Sequence, residues 1–254
     1  MLILNYEFLE ELYNKYNNEE YDDPVLVCKK LKYENDIELF SFISALFAYG
    51  SIKQIKKFLF HLLDIFNYEP YYAIKNFNLL NNEIYYRFQT KNDIEILLRF
   101  LKHITLKYNS IGNYFYKLKV NNLEDYCIEL YKLFLNFLES QDNNITHGLK
   151  FLFPNISKNT NCKRLFLFFR WMVRKDNIDF GIYNFIKPNQ LIYPIDIHLS
   201  KIIKNYTDIK FSSPNLRIAK SFTDYMKKIN NDDPLKYDFA LCHWDMNIKG
   251  GENG

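Results

Sequence analysis

Asn159-Thr160-Asn161-Cys162-Lys163-Arg164-Leu165-Phe166-Leu167-Phe168-Phe169-Arg170-Trp171-Met172-Val173-Arg174-Lys175 reads as a turn followed by a helix that is apolar on nearly every side. At about 100° per residue, Lys163, Arg170 and Arg174 fall on one stripe, with Leu167 between them. Phe166, Phe168, Phe169, Met172 and Val173 cover most of the rest. From Lys163 to Lys175 the chain carries Lys163, Arg164, Arg170, Arg174 and Lys175 and no acid. A buried helix keeps such a line only where the cations meet anions or a cleft. Nucleic-acid phosphate is one natural partner. A solvated face, with Arg170 paired to a carboxylate, is the other reading.

Outward from this helix the pattern stays helical. Residues 145–153 form a short helix and 154–161 a tight connection, so the spacing is that of a helix–hairpin–helix with its second helix over 162–175. Gly181 to Pro188 leads out. Asp196 stands where an N-cap belongs, before a helix over 197–206. Another helix spans 214–229, and Asp233 as N-cap with Pro234 at N1 opens the last one. The tail from Lys249 to Gly254 reads as disordered. Upstream, helices are expected over 5–16, 36–49, 52–67, 70–77, 93–107, 112–118 and 123–139. Asn35 with Glu38, and Ser51 with Gln54, have capping-box spacing, and Gly50 suits a helix stop.

Composition agrees. Of 254 residues 48% are hydrophobic and 18% aromatic, with only seven Gly and seven Pro, so breakers are scarce and an all-α fold is expected. A net charge of +3 is too small to argue for nucleic acid globally, so that argument must be local. Met1 to Glu20 lacks the basic-then-apolar order of a signal peptide. No apolar run approaches the ~18–20 residues of a membrane span, and a cytoplasmic, nucleoid-associated protein is the expectation. Cys28, Cys127, Cys162 and Cys242 are too scattered for a zinc or iron–sulfur site, so no metal and no cofactor are expected. Two helical domains are expected: a bundle over 20–188 containing the hairpin, and 1–19 with 189–254, with an active cleft between them.

The combined pattern Lys163-Arg164, Phe169 to Arg174, Asp179-Phe180-Gly181, Tyr193 to His198 and Asp233 to Leu241 is similar to a bacterial family across residues 22–245. That family resembles the helix–hairpin–helix DNA glycosylases, and within them the archaeal 8-oxoguanine DNA glycosylases. The superfamily's Gly-x-Gly-x-Lys hairpin corresponds to Asn159, Asn161 and Lys163, and its Pro-Val-Asp-x-His segment to Pro194, Asp196 and His198. Asn replaces both glycines, and Asn tolerates positive φ better than most residues. Lys163 and Asp196 are 33 residues apart, a separation similar to the archaeal type.

The resemblance implies an enzyme that flips a damaged base out of duplex DNA. Asp196 would stabilise the positive charge that develops as the C1′–N bond breaks. Lys163 would attack C1′ and form a Schiff base, which permits strand cleavage by β-elimination. Arg164, Arg170, Arg174, Asn159, Asn161 and His198 would contact DNA. Ser51, Gln54, Trp244 and Asp238 would line the base pocket, with Asp245 a second carboxylate on the stripe beside Trp244. The expected partner is double-stranded DNA containing a damaged base, met by a monomer. The expected lesion is an oxidised purine, 8-oxoguanine first. A glycosylase for another damaged base and a non-catalytic helix–hairpin–helix DNA-binding protein stay open. Read singly, Asp196 is an ordinary N-cap, Lys163 a solvated lysine, and Ser51 with Gln54 a local cap.

Overall fold

The structure, a computed structural model, describes residues 4–81 and 83–251, with side chains up to 247. All regular structure among them is helical; two isolated β-bridges, Tyr86 with Gln89 and Lys175 with Phe180, are the only extended pairings. The helices are α1 (Tyr6–Tyr16), α2 (Val25–Cys28), α3 (Glu34–Leu46), α4 (Ile52–Ile65), α5 (Pro70–Lys75), α6 (Lys91–Tyr108), α7 (Ile111–Leu118), α8 (Leu123–Ser140), α9 (His147–Leu152), α10 (Lys163–Val173), α11 (Ile197–Tyr206), α12 (Leu216–Lys227) and α13 (Asp238–Gly251). The tail expected to be disordered is helical to Gly251, and its remainder lies outside the described residues.

The chain forms two compact units. One spans Asp23–Ser157; the other joins residues up to Asp22 to those from Lys158 onward. The division therefore falls at 157/158 and not at the expected 188, inside the anticipated helix–hairpin–helix. The reason lies at the end of α10: Arg170 and the C-cap Arg174 are held by Asp238 and Asp233, both far down the terminal half of the chain.

The Asp23–Ser157 unit is built around aromatic packing. Phe134 stacks on Phe153 with ring centroids 4.0 Å apart, and Phe100 meets both edge-on at 5.0 and 5.6 Å. All three are fully or almost fully buried, so truncating any of them to Ala costs about 3–5 kcal/mol. Glu38 corrects one expectation. It does not form a capping box with Asn35, because α3 already starts at Glu34. Its buried carboxylate reaches across to α7 and accepts the Ile111 and Gly112 N–H groups at 3.2 and 2.7 Å, where a helix start welcomes negative charge. Ser51 does cap α4, accepting the Gln54 N–H at 3.4 Å.

In the terminal unit α13 packs against both α1 and α11. Glu10 of α1 accepts from Lys236 Nζ and Tyr237 Oη, each at 2.6 Å, just ahead of α13. Asp233 and Pro234 do not open α13: residues 234–237 are a turn, the helix starts at Asp238, and the Asp233 carboxylate is engaged by Arg174. A capping motif read from sequence was outbid there by a buried cation.

Candidate active site

Asn159, at the first of the two positions where glycine was expected, has a positive backbone angle, φ +54°. Its carbonyl and side-chain oxygens accept the Leu216 and Arg217 N–H groups at 3.4 and 3.1 Å and so help cap α12. Asn161 has no positive φ among the described residues. Its Nδ2 donates to the Ile195 carbonyl at 2.6 Å. That bond ties the position two residues before Lys163 to the residue immediately before Asp196. Through these bonds Asn159 and Asn161 each join the turn to a neighbouring helix start.

Lys163 is the first residue of α10 and half-buried. Among the described residues its amine has no hydrogen-bond or ion-pair partner. Asp196 is the N-cap of α11; one oxygen accepts the His198 and Leu199 N–H groups, both at 2.9 Å. Capping fixes the carboxylate without enclosing it, since Asp196 stays partly exposed. On α13 the Cys242 thiol lies within electrostatic range of both. Burial pushes that thiol far above its usual range; Asp196 and Asp238 push the same way, and Arg170 and Lys163 oppose them. Amine, carboxylate and thiol therefore share one neighbourhood of the terminal unit.

His198, expected to meet DNA, bonds through Nδ1 to Asp245 Oδ2 at 2.7 Å, with Lys201 3.9 Å from the same oxygen. This places a carboxylate-oriented imidazole two residues beyond Asp196. Asp245 is thereby engaged by a protein side chain and is not the open acceptor that its stripe beside Trp244 suggested.

Arg170 and Arg174 are the main correction. They are 2% and 4% exposed. Arg170 pairs with Asp238 at 2.6 Å and Asp179 at 3.3 Å. Arg174 pairs with Asp233 at 2.9 Å, Asp176 at 3.0 Å, and Asp179. The two arginines of the stripe face anions, but the anions are the protein's own. Their electrostatic balance is uneven. At Asp176 burial works upward, yet Arg174 and two backbone N–H groups outweigh it and the carboxyl is lowered. At Asp238 burial wins over Arg170 and lifts the carboxyl to about 6. Asp238 Oδ1 is buried with no hydrogen-bond partner among the described residues, and so is the Tyr193 hydroxyl.

Of the expected base-pocket residues, Trp244 is half-buried, with Phe8 and Tyr206 at centroid distances of 5.1 and 5.2 Å. Asp238 is 1% exposed. Ser51 and Gln54 lie exposed at the start of α4, in the other unit. There Gln54, Lys57, Phe58, His61, Tyr85 and Arg87 line a groove of about 440 Å³. Sequence reading passed over Arg87, which lies between α5 and α6. It adopts φ +52°, and its guanidinium sits 5.7 Å from each of the Tyr49 and Phe88 rings. A Cβ on Gly50 would come within 2.8 Å of its Nη1. Gly50 ahead of a Tyr-Arg-Phe run was the available signal, but it needs the fold to bring the two segments together.

Among the described residues no group of three or more His, Cys, Asp or Glu could hold a metal ion. No helix among them is long and apolar enough to cross a membrane.

The fold and this neighbourhood define an all-helical protein with a lysine and an aspartate at adjoining helix starts. A family model described as protein of unknown function (DUF2400) matches residues 23–247, and the chain belongs to that family. No curated protein and no solved structure matches it.

Proposed function

We propose that this protein is a DNA glycosylase with lyase activity that excises an oxidised purine, 8-oxoguanine first, from duplex DNA as part of base excision repair. The observation that carries this reading is the Asn161 to Ile195 bond at 2.6 Å, which holds the Lys163 and Asp196 helix starts together. In the proposed reaction the C1′–N bond breaks and its electron pair leaves with the base. Asp196 steadies the positive charge left on the sugar. The neutral Lys163 amine donates its lone pair to C1′, and the proton it sheds goes to the departing base. Opening of the sugar ring gives the Schiff base. Removal of a C2′ proton then expels the 3′ phosphate. His198, oriented by Asp245, is the nearest side chain to Asp196 in sequence that could take such a proton or hold a phosphate.

The test is borohydride trapping on a panel of lesion-bearing duplexes. A covalent protein–DNA adduct with wild type, and none with Lys163→Gln, is the expected result. Excision unchanged in Lys163→Gln would remove the lysine from the mechanism. Asp196→Asn keeps an N-cap oxygen but loses the charge, so base release is expected to slow by about 10²-fold or more. A near wild-type rate would reduce Asp196 to a cap. Duplex binding with no adduct on any lesion would favour the non-catalytic DNA-binding reading.

A further inference from the structure

Because Arg170 and Arg174 are consumed inside the protein, a hairpin that meets DNA must draw phosphate-binding charge from elsewhere. The hairpin turn itself points to where. Asn159, left-handed at φ +54°, gives both of its oxygens to the first turn of α12, and Asn215 takes the next N–H, that of Ile218, at 3.1 Å. The N–H groups at the start of α12 are therefore already satisfied, and the helix start offers little to an anion. Its side chains do. Arg217 and Lys220 are three positions apart and both exposed, hence neighbours on one face. Arg217 has no ion-pair partner among the described residues. Lys228 and Asp224 continue the same exposed edge. No acid occurs between Asp208 and Asp224, nor from Lys158 to Lys175, so the two segments that Asn159 bonds together are both acid-free and basic.

We infer that this edge of α12, led by Arg217 and Lys220, is a duplex-backbone contact seated beside the hairpin. It rests on the reading of the protein as a DNA enzyme and adds to it the surface that holds undamaged duplex. The edge reads no sequence: two cations on flexible stems neutralise phosphates and release counterions. Asp224, one turn further along, opposes them and limits affinity.

The experiment measures affinity of the full chain for an undamaged 20-base-pair duplex across a salt series, with thermal melting run alongside. For Arg217→Ala/Lys220→Ala the salt slope is expected to fall by about two, one for each lost phosphate contact, with affinity down about tenfold and melting unchanged. Asp224→Asn is expected to raise affinity severalfold, a gain that a structural defect cannot produce. Wild-type affinity and slope in both variants would overturn the inference while leaving the glycosylase proposal untouched. Absence of duplex binding by the wild type would end both. Loss of binding that is independent of salt would also overturn it, because a backbone contact must be screened. Unaltered borohydride trapping at saturating duplex separates this surface from the chemistry at Lys163.

Discussion

Arg174 sits at 4% exposure among three aspartates, whereas Arg87 lies exposed on a left-handed backbone with two aromatic rings beside its guanidinium. In sequence Arg174 belongs to a conspicuous line of cations, and Arg87 belongs to nothing. In the fold the conspicuous arginine is paired inside the protein, and the inconspicuous one faces a groove. Charge patterning identifies helices that carry cations, but the partner depends on which carboxylates the tertiary fold delivers. Among the described residues no carboxylate is delivered to Arg87.

Breaking the first half of this contrast has the largest expected effect. Arg174→Met should cost about 3–5 kcal/mol in urea denaturation, because Asp176 loses its main countercharge and buried Asp179 keeps only Arg170. Direct phosphate contact would give the opposite signature: little loss of stability and a flatter salt dependence of DNA binding. That outcome would overturn the buried-network description.

Asp238 sharpens the contrast through pH. Its carboxyl is lifted from an ordinary 3.8 to about 6 because burial outweighs Arg170. The folded state therefore prefers the protonated acid. Its stabilising contribution is complete below pH 4 and is lost as pH rises through about 6, a swing of about 3 kcal/mol from a shift of two units. Asp176 is lowered and works in the other direction, losing its contribution only on acidification below the usual carboxylate range. Melting of wild type should fall between pH 5 and 7.5, and Asp238→Asn should remove most of that fall. Parallel profiles for the two proteins would mean that Arg170 keeps Asp238 ionised throughout.

The difference between the two arginines also marks what was legible. Helix positions were: α5 to α8 and α10 to α12 lie within a few residues of their expected bounds, because apolar period and capping residues are local signals. Asp196 as an N-cap was legible for the same reason. What local patterns missed was the distant partner of several side chains. Glu38 caps α7, 73 residues away; Asp233 holds Arg174 and caps nothing; Asn159 holds α12. The division at 157/158 belongs with them, since Arg170 and Arg174 pair with Asp238 and Asp233 far along the chain. Lys163 and Asp196 were chosen by resemblance and spacing. Their common neighbourhood depends on the Asn161 to Ile195 bond, which no local pattern encodes.

The smallest effects belong to Arg87, and they test the second half of the contrast. Gly50→Ala should cost about 1–2 kcal/mol, because φ +103° is unfavourable for any residue with a Cβ. The new methyl would also meet Arg87 Nη1 at 2.8 Å, but that atom ends a flexible, exposed side chain and can move aside. Arg87→Ala should cost no more than about 1 kcal/mol, the scale of exposed cation–π contacts to Tyr49 and Phe88. Urea denaturation of the two single variants and the double variant closes a cycle. If backbone conformation is the reason for glycine, the costs add to within about 0.5 kcal/mol. A larger coupling would mean that Gly50 is a notch shaped for the guanidinium, and that Arg87 is held in place as firmly as Arg174 although it has no anion to hold it.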